Sequence, residues 1–291
     1  MPGLELAPLE TADADAYWQA HVAGRTDLPS PSFLVHMERY LRLPPEEQQT
    51  YFAFVEGGRI VGTVRLADAI TFFSLAPEAR DWTRDAILLA TEPFIAKGAE
   101  KVVASYDDSY SEAFTGLGFR ETFSRMRMEV PIVKGDKPAL EMAHPEATDV
   151  DDIATFLMAA YEGHMEQPFG MHVGPPEEWR DYATSIWKGE SGTYLPLASW
   201  LTRDDAGLAA ISLATVWMGT PLVAEIAVRK DRRRQGLARA LLAATGNALV
   251  DLGHDRLALY VTVGNDTAIR LYEDLGLRQA GGRTVSAALE L

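Results

Sequence analysis

Three groups of residues in this sequence have the types and spacing that could do chemistry. The first is "VRKDRRRQGLARALL", Val228 to Leu242. An apolar, strand-like segment runs into it and an alanine-rich helical segment leaves it. A helix N-terminus exposes backbone N–H groups that no carbonyl of the helix accepts, and with its partial positive charge it suits phosphate. Gly236 lets a ligand approach the backbone, Ala238 keeps the next turn slim, and Arg233, Arg234 and Arg239 can add charge-assisted bonds. The run lacks the Gly-Lys-Ser/Thr ending of a nucleotide P-loop and the spacing of a dinucleotide GxGxxG loop. A solvated basic turn is the plain alternative.

The second group is a single carboxylate, Glu225, inside the otherwise apolar "PLVAEIAV". A carboxylate there is costly unless it faces a cleft or has a partner. Strand alternation puts Val223, Glu225 and Ala227 on one face and Ala224, Ile226 and Val228 on the other. The third group is "YEGHMEQPFGMHVGPPEEW", Tyr161 to Trp179, which offers His164, Glu166, Phe169 and His172 between two helical segments. Two histidines eight residues apart with no third ligand in view do not make a metal site, so no metal is expected.

The elements that must position these groups belong to a chain of 291 residues, long enough for two domains of ordinary size. There is no cysteine, which excludes disulfides, thiolate metal sites and an acyl-thiol enzyme intermediate. The net charge of −15 is spread evenly: residues 1–136 hold 21 acidic and 13 basic side chains and residues 137–291 hold 21 and 14, an excess of −8 and −7. An even acidic surface argues against nucleic acid as a partner. "MPGLELAPLE" has neither the basic nor the apolar region of a signal peptide, and the longest near-apolar run, Ala206 to Gly219, is too short to span a bilayer. No membrane partner and a cytoplasmic location are the expectations.

The sequence also repeats a pattern. "LELAPLETADADAYWQA" from Leu4 and "LEMAHPEATDVDDIATFLMAAY" from Leu140 each read as strand, turn and helix. "AILLATEPFIAKGAEKVVASY" (Ala86 to Tyr106) matches "ALLAATGNALVDLGHDRLALYV" (Ala240 to Val261), and each copy continues to "GLGFR" or "DLGLR" and a final alternating segment. The join is expected near "VKGDKP", Val133 to Pro138, where Gly, Asp and Pro interrupt the periodicity. Strands alternating with helices predict an α/β (α+β mixed sheet) class.

Arg233-Arg234-Gln235-Gly236-Leu237-Ala238 resembles the acetyl-CoA pyrophosphate loop, R/Q-x-x-G-x-G/A, of the GNAT superfamily of N-acetyltransferases. About thirty residues on, "NDTAIRLYEDLGL", Asn265 to Leu277, is similar to the family's N-x-x-A-x-x-L-Y-x-x-x-G-F segment, departing at Leu277. The resemblance covers Leu140 to Leu291. It implies two tandem GNAT-like domains, residues 1–135 and 138–291, with acetyl-CoA as co-substrate in the second.

It also implies direct acetyl transfer to a primary amine of a small molecule, in a monomer built as a pseudo-dimer of domains or in a homodimer. Ile226, Val228, Arg233, Arg234, Gln235, Gly236, Leu237, Ala238, Arg239 and Asn265 are then the cofactor-binding candidates. Asn265 can instead cap its helix. Tyr272 becomes the candidate general acid, unless it is a core tyrosine. Glu225 becomes the candidate base, unless it is edge-facing or salt-bridged.

In the family the region of Tyr161 to Trp179 closes over the acceptor, so His164, Glu166, Phe169 and His172 are pocket candidates; Trp217 joins them or packs in the core. The first half lacks these features: no glycine falls between Gly62 and Gly98, Phe114 stands where Tyr272 does, and Asp107 stands where Asn265 does. It therefore reads as a degenerate copy without a cofactor site. The alternatives are a non-catalytic CoA-binding sensor or scaffold and a mycothiol synthase-like acetyltransferase.

Overall fold

The alternating and helical periods of the sequence become strands and helices in the computed structural model, which describes residues 3–28, 33–190 and 192–291. The chain divides into two units, Met1–Met126 with Ala280–Leu291, and Arg127–Gln279. In the first unit the elements are β1 (Leu4–Pro8), α1 (Ala14–Ala23), α2 (Phe33–Leu41), α3 (Pro45–Gln48), β2 (Tyr51–Glu56), β3 (Arg59–Leu66), β4 (Ile70–Leu75), α4 (Thr83–Ala96), β5 (Lys101–Asp107), α5 (Ser111–Gly116) and the start of β6 (Arg120–Pro131). The second unit takes the end of β6, then α6 (Val150–Tyr161), α7 (Pro176–Trp187), β7 (Thr193–Tyr194), β8 (Trp200–Asp204), β9 (Gly207–Trp217), β10 (Thr220–Val228), α8 (Leu237–Asp251), β11 (Arg256–Thr262) and α9 (Asp266–Asp274). The chain ends in β12 (Arg278–Glu290). The mixed α/β class expected from the sequence is the one observed, and no helix among the described residues is long and apolar enough to cross a membrane.

Within the first unit the strand order is β1-β2-β3-β4-β5-β12. In the second it is β6-β11-β10-β9, with β7 and β8 both paired to β9. The repeat is visible as two crossovers, β4-α4-β5 and β10-α8-β11, each joining parallel strands through a helix. The units do not divide at the expected join. The closing strand β12 lies antiparallel to β5 from Thr284↔Asp107 to Glu290↔Lys101, so the end of the chain belongs to the first unit. Ladder pairing, rather than the Gly-Pro interruption near 133–138, sets the division. The strand expected at Leu140 is reduced to a bridge between Ala143 and Leu201.

In the second unit α6 buries Ile153, Ala154, Phe156, Leu157 and Ala160 at helical spacing, and α7 buries Trp179, Ala183 and Ile186. They close on Leu201, Leu208, Ile211, Leu213 and Ala227, so the Val223–Glu225–Ala227 face of β10 looks into the core beneath these helices. In the first unit the residues that stand at the chemical positions of the repeat are packed or bonded. Phe114 stacks on Tyr106 with ring centroids 3.8 Å apart, and Asp107 accepts from the N–H groups of Thr26, Asp27 and Ser109 and the hydroxyl of Thr26.

Candidate active site

The basic loop ends in a donor cradle. Lys230–Arg232 form one 3-10 turn, Arg233 is extended, and Arg234 and Gly236 take left-handed backbone angles, φ 61° and 83°. The first bond of α8 runs from Ala240 N–H to the Gly236 carbonyl, and no side chain caps the helix. The N–H groups of Leu237, Ala238 and Arg239 are therefore the free donors of its first turn. Leu237 is buried with Leu241 against Ala209 and Ala210, which holds the turn in place while Arg234, Gln235, Gly236 and Arg239 stay exposed. Glycine is required at 236 by its backbone angle, not by crowding, since a Cβ there would meet nothing within 4 Å.

Most arginines of the loop have partners within the chain. Arg233 Nε donates to the Val228 carbonyl at 3.2 Å and Nη2 to the Ala160 carbonyl at 2.8 Å. Arg229 and Arg232 pair with Asp204, Lys230 with Glu162, and Arg239 with Asp274 at 3.2 Å. Gln235 closes the loop by donating to the Asp231 carbonyl. The cradle rests mainly on backbone N–H groups, which the count of positive side chains does not reveal.

β10 leads into this loop along an open edge. It pairs with β11 in parallel only at Leu222↔Ala258 and Val223↔Leu259, and a register shift between Val223 and Glu225 marks a bulge at Ala224 on its other side. Beyond Val223 it is paired to β9 alone among the described residues. Arg229 N–H bonds to Ala209 on β9, so alternation turns the backbone groups of Ile226 and Val228 toward the open edge.

Glu225 is buried, 5% exposed, and takes its partners from the two covering helices. The hydroxyl of Tyr161, at the end of α6, donates to Oε1 at 2.6 Å, and that of Tyr182 on α7 donates to Oε2 at 3.0 Å. Burial raises its pKa above the ordinary carboxyl value, opposed by these two hydroxyls, by the charge of His172 and by the Ile226 N–H. The salt-bridge alternative is not what the structure contains: the partners are neutral phenols.

Tyr272 is buried on α9 at 7% exposure. Burial, and then the charges of Glu225 and Glu166, raise its pKa well above the ordinary phenol value, so it stays protonated through the neutral range. Asn265 caps α9, its side chain accepting from the Ala268 N–H at 3.3 Å. Of its two readings the structure displays the cap.

The 161–179 loop folds around a second buried carboxylate. Glu166, 5% exposed, accepts on Oε2 from His172 Nε2 at 2.6 Å, with His164 Nδ1 3.4 Å from the same oxygen, and on Oε1 from the Thr262 hydroxyl. His172 stacks on Tyr161 with centroids 3.8 Å apart, linking the two carboxylates through one aromatic pair. Burial lowers the pKa of His164. Phe169 lies at the loop's exposed rim. Trp217 sits at the β9–β10 hairpin in register with Thr220, five residues along β10 from Glu225, or roughly 16 Å at strand rise. Tyr161, Tyr182 and Thr262 are site residues that sequence reasoning missed. Only Tyr161 carried a signal, as the first residue of the His/Gly/Pro-rich stretch.

Residues 157–277 match the model of the Acetyltransferase (GNAT) family. A mycothiol acetyltransferase of Clavibacter sepedonicus is 32% identical over 174 residues, 59% of this chain and 49% of that protein, so the match spans about half that relative's length. The ribosomal protein bS18-alanine N-acetyltransferase of Escherichia coli strain K12 is 35% identical over 126 residues, 43% of this chain and 77% of that one. Among solved structures, a tandem GNAT protein from the clavulanic acid biosynthesis pathway shares the fold. Its TM-score is 0.68 at 15% identity, covering 99% of this chain and 98% of that one.

Proposed function

Because the chain belongs to the GNAT acetyltransferase family, we propose that it transfers the acetyl group of acetyl-CoA directly to a primary amine of a small molecule. The observation that carries this reading is that one strand, β10, runs from the buried carboxylate Glu225 to the free backbone N–H groups at Gly236–Arg239, while the buried Tyr272 on α9 feels the charge of Glu225. The N–H groups of the first turn of α8 would hold the pyrophosphate, and the open edge of β10 at Ile226 and Val228 would hold the pantetheine arm. Acetyl-CoA, when bound, supplies an activated acyl thioester.

Glu225 takes a proton from the incoming ammonium, and its raised pKa makes it a stronger base than an exposed carboxylate. Tyr272, kept protonated, donates a hydrogen bond to the sulfur as negative charge builds there. A thiolate, with an ordinary pKa of about 8.5, is a weaker base than the phenolate, so solvent completes the protonation and the tyrosine supplies the bond. His164, Glu166 and His172 would flank the acceptor pocket. A polypeptide α-amine is the second reading, favoured by the relative named for a ribosomal protein. Release of free thiol from acetyl-CoA, measured against small amines and against peptides with free N-termini, decides between them. Turnover with small amines only supports the proposal, and turnover with peptides only overturns its acceptor.

The cradle is built in the second unit, while the corresponding turn of the first, Pro77–Trp82, carries Glu78 and Asp81 where phosphate would sit. Calorimetry on the intact chain should therefore give one acetyl-CoA per chain, and two equivalent sites would overturn the reading of the first half as degenerate. Glu225→Gln should lower kcat/KM about tenfold, the low end of general-base effects, because Tyr161 and Tyr182 remain to order a water. The sign follows from the raised pKa. Wild-type activity falls as acid protonates Glu225, so the deficit of the variant is greatest between that pKa and the amine's own and narrows below it. Superimposable pH profiles would make Glu225 a structural residue.

A further inference from the structure

The spacing of His164 and His172 hides a third donor that the fold places between them. Glu166 Oε2 lies 2.6 Å from His172 Nε2 and 3.4 Å from His164 Nδ1, and the three donor atoms all fall within 4.8 Å of one another. We propose that His164, Glu166 and His172 form a binding site for a zinc-class divalent metal ion. Two imidazoles and one carboxylate suit Zn²⁺, Co²⁺ or Ni²⁺ better than Mg²⁺ or Ca²⁺, which prefer an all-oxygen shell. In a tetrahedral shell, metal–donor lengths of about 2.0–2.2 Å set neighbouring donors roughly 3.3–3.6 Å apart. The His164–Glu166 pair at 3.4 Å already has that separation, and the His172–Glu166 pair at 2.6 Å opens by about 0.8 Å.

Four features prepare the cluster. His164 Nδ1 accepts a long 3.4 Å bond from the Glu166 N–H, so that nitrogen carries a lone pair which a metal takes up at the loss of one weak bond. His172 is held at φ 54°, a left-handed angle a histidine adopts at a cost, with its carbonyl taken by Gln167 Nε2 at 3.0 Å and its ring stacked on Tyr161. Thr262 donates to the second oxygen of Glu166, as an orienting partner behind a ligand does. The two imidazoles are each about a fifth exposed while Glu166 is buried, which leaves a path of entry.

Tag-free protein, stripped with a chelator, is titrated with Co²⁺ and then with competing Zn²⁺. The expected result is one Co²⁺ per chain, with visible absorption from a mixed nitrogen and oxygen shell, displaced by Zn²⁺. His164→Gln and His172→Gln should each weaken binding more than tenfold, and Thr262→Val, which keeps all three ligands, about tenfold. Circular dichroism verifies the fold of each variant, and the partly exposed His164 has the least packing to lose. Absence of stoichiometric Co²⁺ in the wild type, or wild-type affinity in the folded histidine variants, overturns the site. Neither acetyl-CoA nor an amine enters the measurement, so its outcome is separate from that of the acetyl-transfer reading.

Discussion

Gly236→Asp is expected to lower affinity for acetyl-CoA at least 100-fold in calorimetry. Two effects act together. Residue 236 sits at φ 83°, and a side chain there costs about 1–2 kcal/mol of backbone strain, somewhat less for aspartate than for a bulkier residue. The new carboxylate also stands at the N-terminus of α8, among the donors of its first turn, where a pyrophosphate would lie. A like charge about 4 Å away at a partly solvated site costs about 4 kcal/mol. The charge alone exceeds the roughly 2.8 kcal/mol that a 100-fold change represents, and the strain is smaller than that. Gly236→Ala separates them, because the space beside residue 236 is open and only the strain remains. About tenfold weakening is expected for alanine. Unchanged affinity in the aspartate variant would remove this loop from the site.

Tyr272→Phe is expected to lower kcat about 100-fold, within a range of roughly 10 to 1000, and to leave the affinity for acetyl-CoA unchanged. The ring is buried and is kept, so the packing of α9 survives. Its hydroxyl makes no hydrogen bond among the described residues, so its loss strands no partner. Thermal stability should therefore stay close to wild type while turnover falls, a combination that a structural role does not produce. Burial and the charges of Glu225 and Glu166 keep the phenol protonated, so the wild type should show no loss of activity from its ionisation up to pH 10. Full turnover in the phenylalanine variant would make Tyr272 a packing residue, with a water hydrogen-bonded to the leaving sulfur.

What the sequence by itself determined was local. A period of two around Glu225 put it on one face with Val223 and Ala227, and all three are buried together on β10. Gly236 before an alanine-rich helical period marked the start of α8 to within one residue. The segment from Asn265 to Leu277 put Asn265 at the cap of a short helix, and α9 starts just after it. Each of these follows from contacts within a few residues of chain, where backbone geometry and side-chain period are set.

The tertiary structure decided which distant groups meet. Tyr161 reaches Glu225 across 64 residues, Tyr182 across 43, and Thr262 reaches Glu166 across 96. No period records those meetings, because they depend on how α6 and α7 close over β10 and on where β11 ends. The same holds for Arg233, whose guanidinium meets the Val228 and Ala160 carbonyls, the second of them 73 residues away in the chain. It holds for β12 as well, which leaves the unit of its own repeat because the free edge it pairs with, β5, belongs to the other. A side chain's type limits what it can bond, but packing over long sequence separations chooses the partner, and only the folded chain contains that choice.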